Sequence, residues 1–429
     1  MFAKNETHVK LDKCLACGSD DISELLYLGE QPLANSYRSK KEDVPVTFPL
    51  GVNKCGNCYH VQLTHIVNPE IMFKNYAYMS GVSDTWKQYC DWFTSFVYET
   101  YELYNGKDAR LVMDVGSNDG TQLDAFAKVF SYVEGVEPAT NLAKKTQQKH
   151  TVWNRFFDAQ FVLDNPSVYD IISAQNVFAH NYDPVTFLKC AAKLMHNESL
   201  LFIQTSQADM IQNGEFDTIY HEHINFFNTH SMERCANRAG LFLVDSIKVP
   251  IHGTSYIFVL TKNGLLARPS NIENVIEMEK KIGLYSDKLY ENFVYRARAF
   301  KQEFCRIIER ERAAGKPIIG YGAAAKGMTL LNYTEVDMNF IIDDTPTKQG
   351  LYTPGRNIQI VDSSIINKME IFKKHLFVPL AWNYFDEIKA KIIKMRGHSD
   401  DTYLKLFPSL ERQWPPSPST YDEVINEKE

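Results

Sequence analysis

The residues best suited to chemistry stand in one short stretch of the chain, residues 217–223, which read DTIYHEH. The stretch ends with a phenol, two imidazoles and a carboxylate, in the order Tyr220, His221, Glu222 and His223. Burying such groups costs free energy unless they have partners or a function. A neutral imidazole can accept a proton near neutral pH, while an adjacent carboxylate or phenol orients it and stabilises the imidazolium. The stretch therefore predicts a general base.

Two other interpretations of this stretch stay open. The two histidines could chelate a metal ion, but the neighbouring sequence offers no third or fourth ligand at metal-binding spacing. The stretch could also be an ordinary polar loop, because isolated histidines are usually structural or exposed.

A second stretch combines a strand, a loop of small residues and a helix start, residues 111–120 (LVMDVGSNDG). A following strand ends in an acid, Glu137, directly before Pro138. Small residues let backbone N–H groups approach a ligand, and an acid about 20 residues further on suits the diol of a ribose. Asp114 and Asp119 disfavour a pyrophosphate at this loop and favour a cationic sulfonium with an amino-acid tail. The pattern predicts a nucleoside site, with an ordinary strand-to-helix turn as the alternative.

This segment resembles motif I of the class I S-adenosylmethionine (SAM) methyltransferases. In that family the small-residue loop wraps the methionine part of SAM, and the acid binds the ribose hydroxyls. The resemblance implies a SAM site formed by the loop, the acid and the end of the next strand. The residues so assigned are Asp114, Gly116, Ser117, Asn118, Gly120, Glu137, Pro138 and Asn176.

Four cysteines near the start of the chain form two Cys-x-x-Cys pairs, each with a glycine close by that permits a tight turn. They are Cys14, Cys17, Cys55 and Cys58. Four thiolates make a closed tetrahedral set for Zn²⁺, which leaves no coordination position for water or substrate. The pairs therefore predict a structural zinc ion that stabilises a segment too short to bury its own core. Disulfides and an iron centre are the alternatives.

A third strand, small-residue loop and helix start occurs at residues 316–327 (KPIIGYGAAAKG). This loop lacks carboxylates and carries Lys326, so it suits a phosphate group at a helix N-terminus. The next strand ends in Asp343, and Lys348 follows it. Because Asp343 follows Gly322 by about the interval of the dinucleotide fingerprint, NAD binding is an alternative. Only two fingerprint glycines are in register, and we therefore favour the diphosphate of a sugar nucleotide.

The elements that must position these groups are strands and helices that alternate from residue 111 to about residue 194. Alternation of this kind predicts a parallel sheet covered on both faces, with ligands beyond the carboxyl ends of its strands. Two closing strands are predicted at residues 242–246 and 255–260. The segments expected to converge on one cleft are residues 114–120, 137–138, 175–180 and 204–207.

Helices are predicted on either side of this sheet. The spacing of Trp86, Tyr89 and Phe93 indicates an aromatic-faced helix over residues 86–104, whose stripe we assign to the core. A charged amphipathic connector is predicted over residues 271–313. Between the cysteines and the first helix, hydroxyl groups cluster, and they either line a polar ligand site or pack a domain junction with their OH ends wet. The members of this cluster that we single out are Tyr76, Tyr78 and Ser80.

Length and composition set the frame. A chain of 429 residues exceeds one typical core and suggests about two or three domains. The net charge of −7 gives no basic field, so we expect no nucleic-acid partner. The sequence contains no apolar run of membrane-spanning length, and we expect a cytoplasmic protein without a membrane partner, either a monomer or a weak homo-oligomer. The boundaries expected are residues 1–75 (zinc), 76–268 (SAM), 269–412 (Rossmann-like) and 413–429 (flexible tail).

The order of these motifs resembles that of the sugar C-methyltransferases of deoxysugar biosynthesis, over nearly the whole chain. The motifs that carry the resemblance are the two cysteine pairs and residues 114–120, 176–180, 217–223 and 320–327. The resemblance implies an α/β protein with three parts: a small β-rich zinc domain, a class I methyltransferase domain with a Rossmann-like fold, and a second Rossmann-like domain. It also implies methylation of a ring carbon, C3 rather than C5, next to the ketone of a nucleotide-linked 4-keto-deoxysugar, with the dTDP form favoured.

Carbon methylation gives the general base a purpose, because a saturated carbon has no lone pair until an adjacent carbonyl lets it form an enolate. By motif position the resemblance makes His223 the base, Tyr220 and Glu222 its catalytic neighbours, and places His180 near the sugar. The substrate contacts it implies are Tyr76, Tyr78, Ser80, Asn225, Gly322, Ala324, Lys326 and Lys348. The alternatives are an O- or N-methyltransferase acting on a sugar nucleotide, and a non-catalytic module that binds zinc and a nucleoside.

Overall fold

The computed structural model describes residues 6–73, 84–266, 269–370, 372–397 and 400–414. The strands in chain order are β1 His8–Lys10, β2 Ile22–Pro32, β3 Thr47–Cys55, β4 Val61–Leu63, β5 His65–Val67, β6 Leu111–Val115, β7 Tyr132–Val136, β8 Thr151–Trp153, β9 Tyr169–Gln175, β10 Met195–Ser206, β11 Asn225–Phe226, β12 Phe242–Val249, β13 Ser255–Thr261, β14 Ile318–Tyr321, β15 Phe340–Ile342, β16 Ile360–Val361, β17 Leu376–Pro379, β18 Thr402–Lys405 and β19 Glu411–Gln413.

The helices in chain order are α1 Pro69–Phe73, α2 Asp84–Asn105, α3 Thr121–Phe126, α4 Thr140–Thr146, α5 Ala159–Asp164, α6 Pro184–Lys193, α7 Met210–Asn213, α8 Thr229–Arg238, α9 Pro269–Lys281, α10 Asp287–Ala313, α11 Ala325–Thr334 and α12 Phe385–Arg396. Strands and helices alternate through both the middle and the C-terminal part of the chain. This alternation confirms the α/β class predicted from the sequence.

By their internal packing the residues form two compact units. The first contains Met1–Leu25, Val52–Asp209 and Glu222–Asp287, and the second contains Leu26–Gly51, Met210–His221 and Lys288–Glu429. The chain leaves the first unit within β2 and returns to it within β3. The three predicted domain boundaries follow motifs rather than packing, and they stay a prediction.

The first unit contains a seven-stranded sheet in the order β12-β13-β10-β9-β6-β7-β8. Strands β6 to β10 run parallel, while β13 is antiparallel to both β10 and β12. The predicted parallel sheet and its two closing strands are thereby confirmed. Because the parallel strands run in the same direction, the segments that follow β6, β7, β9 and β10 all leave the same edge of the sheet.

Both faces of this sheet are buried, as parallel strands require. Successive residues point to opposite faces, so Val112, Ile171 and Leu200 enter one apolar cluster. Their neighbours Met113 and Ile172 enter the other. Helix α2 covers the first face with the aromatic stripe predicted from the sequence, and the residues of the stripe that are buried include Trp86, Tyr89, Phe93, Val97 and Tyr101.

Two small sheets involve the N-terminal part of the chain. Strands β1 and β5 form an antiparallel pair, and a four-stranded sheet has the order β11-β4-β3-β2. Strand β11 pairs with β4 in an antiparallel register that places Asn225 opposite Gln62. This pairing attaches the residues that follow the DTIYHEH stretch to the neighbourhood of the second cysteine pair.

The second unit contains a six-stranded sheet in the order β16-β15-β14-β17-β18-β19. Its strands are parallel except β19, which is antiparallel to β18. The connector predicted as one helix over residues 271–313 is two helices, α9 and α10. Gly283, with a φ of 85°, lies in the turn between them, a left-handed conformation that interrupts a helix.

Across the described ranges, none of the helices combines the length and the apolar character needed to cross a bilayer. The flexible tail predicted for residues 413–429 lies outside the described residues from residue 415 onward.

Candidate active site

The loop after β6 is shaped by glycine. The Gly116 N–H donates to the Val136 carbonyl of β7 at 2.7 Å, and Gly116 and Gly120 have φ values of 72° and 86°. A Cβ atom on Gly116 would lie 2.4 Å from Cγ2 of Val177, the loop residue after β9. Because a side chain at Gly116 would meet both backbone strain and a steric clash, this position requires glycine.

Glu137 follows β7 directly and ties the loop to the end of that strand. Its carboxylate accepts the N–H of Asn118 at 2.9 Å and the N–H of Ala139 at 2.7 Å. Burial raises the pKa of Glu137 above the ordinary glutamate value. A carboxylate has about four acceptor sites, so these two bonds leave capacity for ribose hydroxyls. The backbone beside it is fixed too, since the Asn154 amide donates to the carbonyls of Glu137 and Pro138 at 2.9 and 3.2 Å.

Asp114 lies on β6, two residues before Gly116, and is buried. The Ser173 hydroxyl of β9 donates to it at 2.5 Å. Burial, together with the negative charge of Glu137, raises the pKa of Asp114 to about 7, although the hydrogen bond from Ser173 opposes this rise. This carboxyl therefore titrates near neutral pH, where a cation placed close to it would favour the ionised form.

Unpaired polar atoms and strained backbone mark the same edge of the sheet. Among the residues that the structure describes, Ser117 Oγ and Asn176 Oδ1 are buried and have no hydrogen-bond partner. Asn118, Asn176 and Gln207, which follow β6, β9 and β10, have left-handed φ values of 49°, 55° and 73°. Buried polar atoms are normally satisfied, and strained residues cluster at ligand sites. The loop, the acid and these unpaired atoms fit a polar nucleoside ligand such as SAM.

His223 lies at the same edge of the seven-stranded sheet, beside Gln207, the residue that follows β10. The Gln207 amide nitrogen is 2.8 Å from Nδ1 of His223 and 3.2 Å from its Nε2. The ring centre of His223 is 5.2 Å from that of His180, in the segment after β9. The Ile224 N–H donates to the Ala179 carbonyl at 2.9 Å, which fixes His223 beside that segment.

His180 differs from an ordinary surface histidine. Although part of its surface is exposed, the surrounding protein desolvates the imidazole and lowers its pKa to about 4. The ring is therefore neutral near pH 7. The imidazoles of His180 and His223 thus lie side by side at the end of the sheet, and that of His180 is neutral. Glu222, the residue before His223, is also buried.

The structure separates the two histidines of the DTIYHEH stretch. His221 belongs to the second unit, where its ring packs against Phe48 with 5.9 Å between ring centres and its Nε2 lies 3.4 Å from the Phe48 carbonyl. His223 belongs to the first unit and contacts His180 and Gln207. Tyr220 is partly exposed and belongs to the second unit. Between the two histidines, it is His223 that lies at the strand ends.

Asn225, which was predicted to contact substrate, is completely buried. Its side-chain oxygen lies 3.1 Å from Nε2 of His60, and its amide donates to the Asn181 carbonyl at 2.6 Å. Both ends of the side chain are therefore engaged inside the first unit, and its substrate contact stays a prediction.

The other predicted contacts before α2, Tyr76, Tyr78 and Ser80, lie outside the described residues. Their substrate-binding role stays a prediction.

The four cysteine sulfurs lie within 4.8 Å of one another. Cys14 and Cys58 are 3.6 Å apart, as are Cys17 and Cys55. Hydrogen bonds from Cys14 and Cys58 lower the pKa of Cys55. The Arg238 guanidinium of α8 holds the first turn through the carbonyls of Leu15 and Ala16. The closed set of four sulfurs fits structural zinc.

The loop after β14, in the second unit, repeats the backbone scheme of the first loop. The Gly322 N–H donates to the Ile342 carbonyl of β15 at 2.7 Å, with a φ of 87° at Gly322. Asp343 follows β15 and accepts the N–H groups of Ala323 and Thr345 at 2.7 and 2.8 Å. Helix α11 then begins after Ala324, whose side chain offers no cap.

Cationic groups surround this second loop. Lys348 Nζ donates to the Ala323 carbonyl at 2.8 Å and lies 3.6 Å from Asp343. The same carbonyl accepts the Tyr37 hydroxyl at 2.5 Å. Lys326 Nζ lies 4.6 Å above the Trp382 ring, and burial lowers its pKa.

Asp217, the first residue of the DTIYHEH stretch, completes this cluster. It is completely buried and accepts the Trp382 indole N–H at 2.6 Å. Burial raises the pKa of Asp217 to about 7, while the positive charge of Lys326 opposes this rise. Lys326 is therefore a partly balanced cation rather than an isolated one.

Sequence reasoning missed Gln207, Tyr37 and Trp382 as individual residues. The signal for Gln207 was its place at the end of a strand predicted to reach the cleft. Tyr37 carried no signal, because its hydrogen bond joins residues that are 286 positions apart. The role of Asp217 was visible only as part of a polar stretch.

Three family models match the chain in succession. They are a zinc binding domain over residues 14–73, a methyltransferase domain over residues 88–246, and a C-methyltransferase C-terminal domain over residues 250–401. A curated relative, the C-methyltransferase NovU of Streptomyces niveus, is 28% identical over 393 residues, which cover 88% of this chain and 91% of the relative.

Two solved structures show more distant likeness. A SAM-dependent methyltransferase from Clostridium acetobutylicum is 10% identical, with a TM-score of 0.34, and the match covers 41% of this chain and 92% of that one. Magnesium protoporphyrin IX methyltransferase from Synechocystis, with bound SAM, is 14% identical, with a TM-score of 0.32, and the match covers 41% and 79%.

The sheet, the glycine loop with its acid and the matching methyltransferase domain define a SAM-dependent methyltransferase with a structural zinc site. The chain is similar to C-methyltransferases along all three of its matched parts, as the order of its motifs predicted.

Proposed function

We propose that the protein transfers a methyl group from SAM to a ring carbon next to the ketone of a nucleotide-linked 4-keto-deoxysugar. The favoured nucleotide is dTDP and the favoured position is C3. The observation that carries the proposal is the pair of imidazoles, His180 and His223, at the edge of the sheet that bears the SAM loop. An oxygen or nitrogen acceptor already has a lone pair, whereas a carbon acceptor needs such a base.

In this proposal His223 removes the α-proton. The C–H bond breaks, the proton moves to an imidazole nitrogen, and the electron pair enters the enolate while the ketone oxygen becomes the oxyanion. His180 is neutral near pH 7 because burial lowers its pKa, so it adds no positive charge that would oppose the imidazolium of His223. A neutral imidazole can also donate a hydrogen bond to the developing oxyanion. Tyr220 and Glu222 are proposed as catalytic neighbours of His223.

When bound, SAM would supply an electrophilic methyl group to the enolate carbon and would leave as S-adenosylhomocysteine. The chain holds SAM through the loop after β6, where Gly116 and Gly120 admit close approach of the backbone. Glu137 offers its remaining acceptor sites to the ribose, and Ser117 and Asn176 offer their unpaired oxygens. Asp114, with a pKa near 7, favours a cationic ligand once it ionises.

The diphosphate of the sugar nucleotide is proposed to bind the loop after β14. Gly322 and Ala324 lead into α11, whose first N–H groups are available to an anion because the N-cap side chain forms no capping bond. Lys326 and Lys348 add positive charge at this loop. The first loop, with its carboxylates, has the opposite charge and suits the sulfonium.

The test is isotope exchange in D₂O with a panel of nucleotide-linked 4-keto-deoxysugars, followed by mass spectrometry and NMR. Without SAM, the wild type should exchange the α-proton for deuterium, and with SAM the product should gain one methyl group on carbon. His223→Gln should slow exchange by about 10²- to 10⁴-fold, the usual contribution of a general base. His221→Gln is the matched control, and it should exchange like the wild type.

Three outcomes would contradict the proposal. Methylation without α-proton exchange would indicate an oxygen or nitrogen acceptor. An absence of methyl product across the panel, from protein that still binds SAM, would indicate another acceptor or a non-catalytic role. If exchange survived in His223→Gln and disappeared in His221→Gln, the base would be His221 rather than His223. The carbon that carries the label distinguishes C3 from C5.

A further inference from the structure

Gln207 contacts the proposed base from the end of β10. It is buried and places its amide nitrogen 2.8 Å from Nδ1 of His223. Its other polar atom, Oε1, is also buried and lacks a hydrogen-bond partner within the described ranges, whereas such atoms are normally satisfied. Oε1 of Gln175 and of Gln204 is unpaired as well, so it is the contact with His223 that singles out Gln207.

The backbone of Gln207 supplies a second, independent observation. Its φ of 73° lies in the left-handed region, which costs free energy for a residue that has a Cβ atom. The next residue is tied down, since the Ala208 N–H donates to the Thr254 carbonyl at 3.0 Å. The strained turn therefore aims the Gln207 side chain at His223.

We propose that Gln207 is the positioning residue of His223 and serves both of its protonation states. A half-turn of the amide, which exchanges its nitrogen and its oxygen, lets Oε1 accept a hydrogen from Nδ1 of the neutral ring. This tautomer leaves the lone pair of Nε2 free to take the substrate proton, and the same hydrogen bond from Nδ1 to Oε1 then holds the imidazolium. The ring thus keeps one orientation while its charge changes. This inference deepens the proposed function and rests on His223 being the base.

A neutral partner suits this position better than a carboxylate. A carboxylate would accept only, and would stabilise the imidazolium so strongly that the resting base would be protonated. Several titratable groups face or adjoin His223. His180 is neutral near pH 7, and Asp209, two residues after Gln207, is paired with Lys248 at 2.5 Å. Glu222, the preceding residue in the chain, is buried and ionisable as well.

The test compares two nearly isosteric variants. Gln207→Met removes the hydrogen bond, and Gln207→Glu replaces the amide by a carboxylate. The rate of α-proton exchange is measured without SAM between pH 5 and pH 9, together with KM for the sugar nucleotide. Gln204→Met and Gln204→Glu are matched controls, because Gln204 is a buried residue of β10, three positions before Gln207, and donates to Ser255 at 2.7 Å instead of to a histidine.

Gln207→Met should lower kcat for exchange by about 10- to 100-fold, the effect of a loosened catalytic group, with little change in KM. Gln207→Glu should move the acidic limb of the pH–rate profile up by about one to three pH units, because a carboxylate raises the pKa of an adjacent imidazole. The Gln204 variants should leave the position of that limb unchanged. Thermal unfolding and SAM binding establish that each variant is folded.

The inference is overturned if Gln207→Met exchanges at the wild-type rate, if the limb does not move in Gln207→Glu, or if the Gln204 variants move it equally. A failure of the proposed function has a different signature. In that case the wild type itself shows no exchange, or His223→Gln retains it.

Discussion

Two loops of this protein have nearly the same backbone and opposite charge. In both, a glycine N–H donates at 2.7 Å to the last residue of the neighbouring strand, and the acid that follows that strand accepts two N–H groups. The glycines are Gly116 in the first loop and Gly322 in the second, and the acids are Glu137 and Asp343. The hydrogen bonding that shapes a nucleotide-type loop is therefore present twice.

The side chains around the loops make the difference. Asp114 stands two residues before the first glycine, whereas the corresponding position before the second is Gly320. There a Cβ atom would lie 2.9 Å from side-chain atoms of Ile341 and Met338, so the packing leaves no room for a carboxylate. Lys326 and Lys348 lie at the second loop only. One backbone scheme thus selects its ligand through a few charged side chains near the loop.

The largest effect should come from adding a methyl group to either glycine. In Gly116→Ala the new Cβ meets Val177, and in Gly322→Ala it meets the Ala381 side chain at 2.7 Å. A left-handed non-glycine residue costs about 1–3 kcal/mol, which corresponds to roughly 5- to 150-fold in affinity. Calorimetry should show SAM binding weakened only by the first change and sugar-nucleotide binding only by the second. If both changes weakened both ligands equally, the two loops would not be separate sites.

The next effect concerns the charge of the second loop. Lys326→Met should weaken sugar-nucleotide binding by about 10-fold, near the lower limit for a lost hydrogen bond to a charged group. We expect the lower limit because Asp217 already balances part of this charge. The loss should shrink at high salt, and SAM affinity should not change. Arg298→Met, which removes an exposed cation on α10, is the control. An equal loss of sugar-nucleotide affinity in that variant would show that Lys326 has no special role.

A pH effect should distinguish the first loop. Burial raises the pKa of Asp114 in the folded state to about 7, above the ordinary aspartate value of about 3.9, so the native state keeps a proton that the unfolded state loses between these values. Stability therefore falls as the pH rises through this window. A bound cation favours the ionised carboxylate, so SAM affinity should rise by up to about 10-fold from pH 6 to pH 8. Asp114→Asn should abolish this rise, and a rise that persists in the variant would assign it to another group.

The smallest effect should come from the two acids that hold the loops. In Glu137→Gln and Asp343→Asn, an amide NH₂ group replaces one of the two carboxylate oxygens. This group cannot accept the backbone N–H that the oxygen accepted. Each variant should lose about 0.5–1.5 kcal/mol of unfolding free energy, the net contribution of one hydrogen bond. Urea titration measures the loss. Similar losses would support the common backbone scheme, and a loss in one variant only would break it.

Local patterns could be predicted from the sequence and long-range contacts could not. The cysteine pairs, both glycine loops and the strands before them are encoded by neighbouring residues. Asn225 shows the limit, because its partner His60 is 165 positions away, and nothing near Asn225 indicates that its amide is already engaged. The same holds for the separation of His221 from His223, which depends on packing against Phe48.

The connector shows a second limit. Residues 271–313 have one continuous amphipathic pattern, yet the chain turns at Gly283 because glycine adopts a left-handed conformation at low cost. A periodic pattern indicates which face of a helix is apolar, but it does not locate every break. The left-handed conformation of Gln207 was also invisible, since only glycine announces such a position in a sequence.

The second unit is assembled from three separate segments of the chain, and one of them, Leu26–Gly51, is entered and left within strands. A chimaera that exchanges only residues 288–429 would replace the segment that contains Ala323, the partner of Tyr37, and Trp382, the partner of Asp217. Recombination at a single point should therefore yield poorly folded hybrids. Transplanting the second unit into a related enzyme requires the exchange of residues 26–51, 210–221 and 288–429 together.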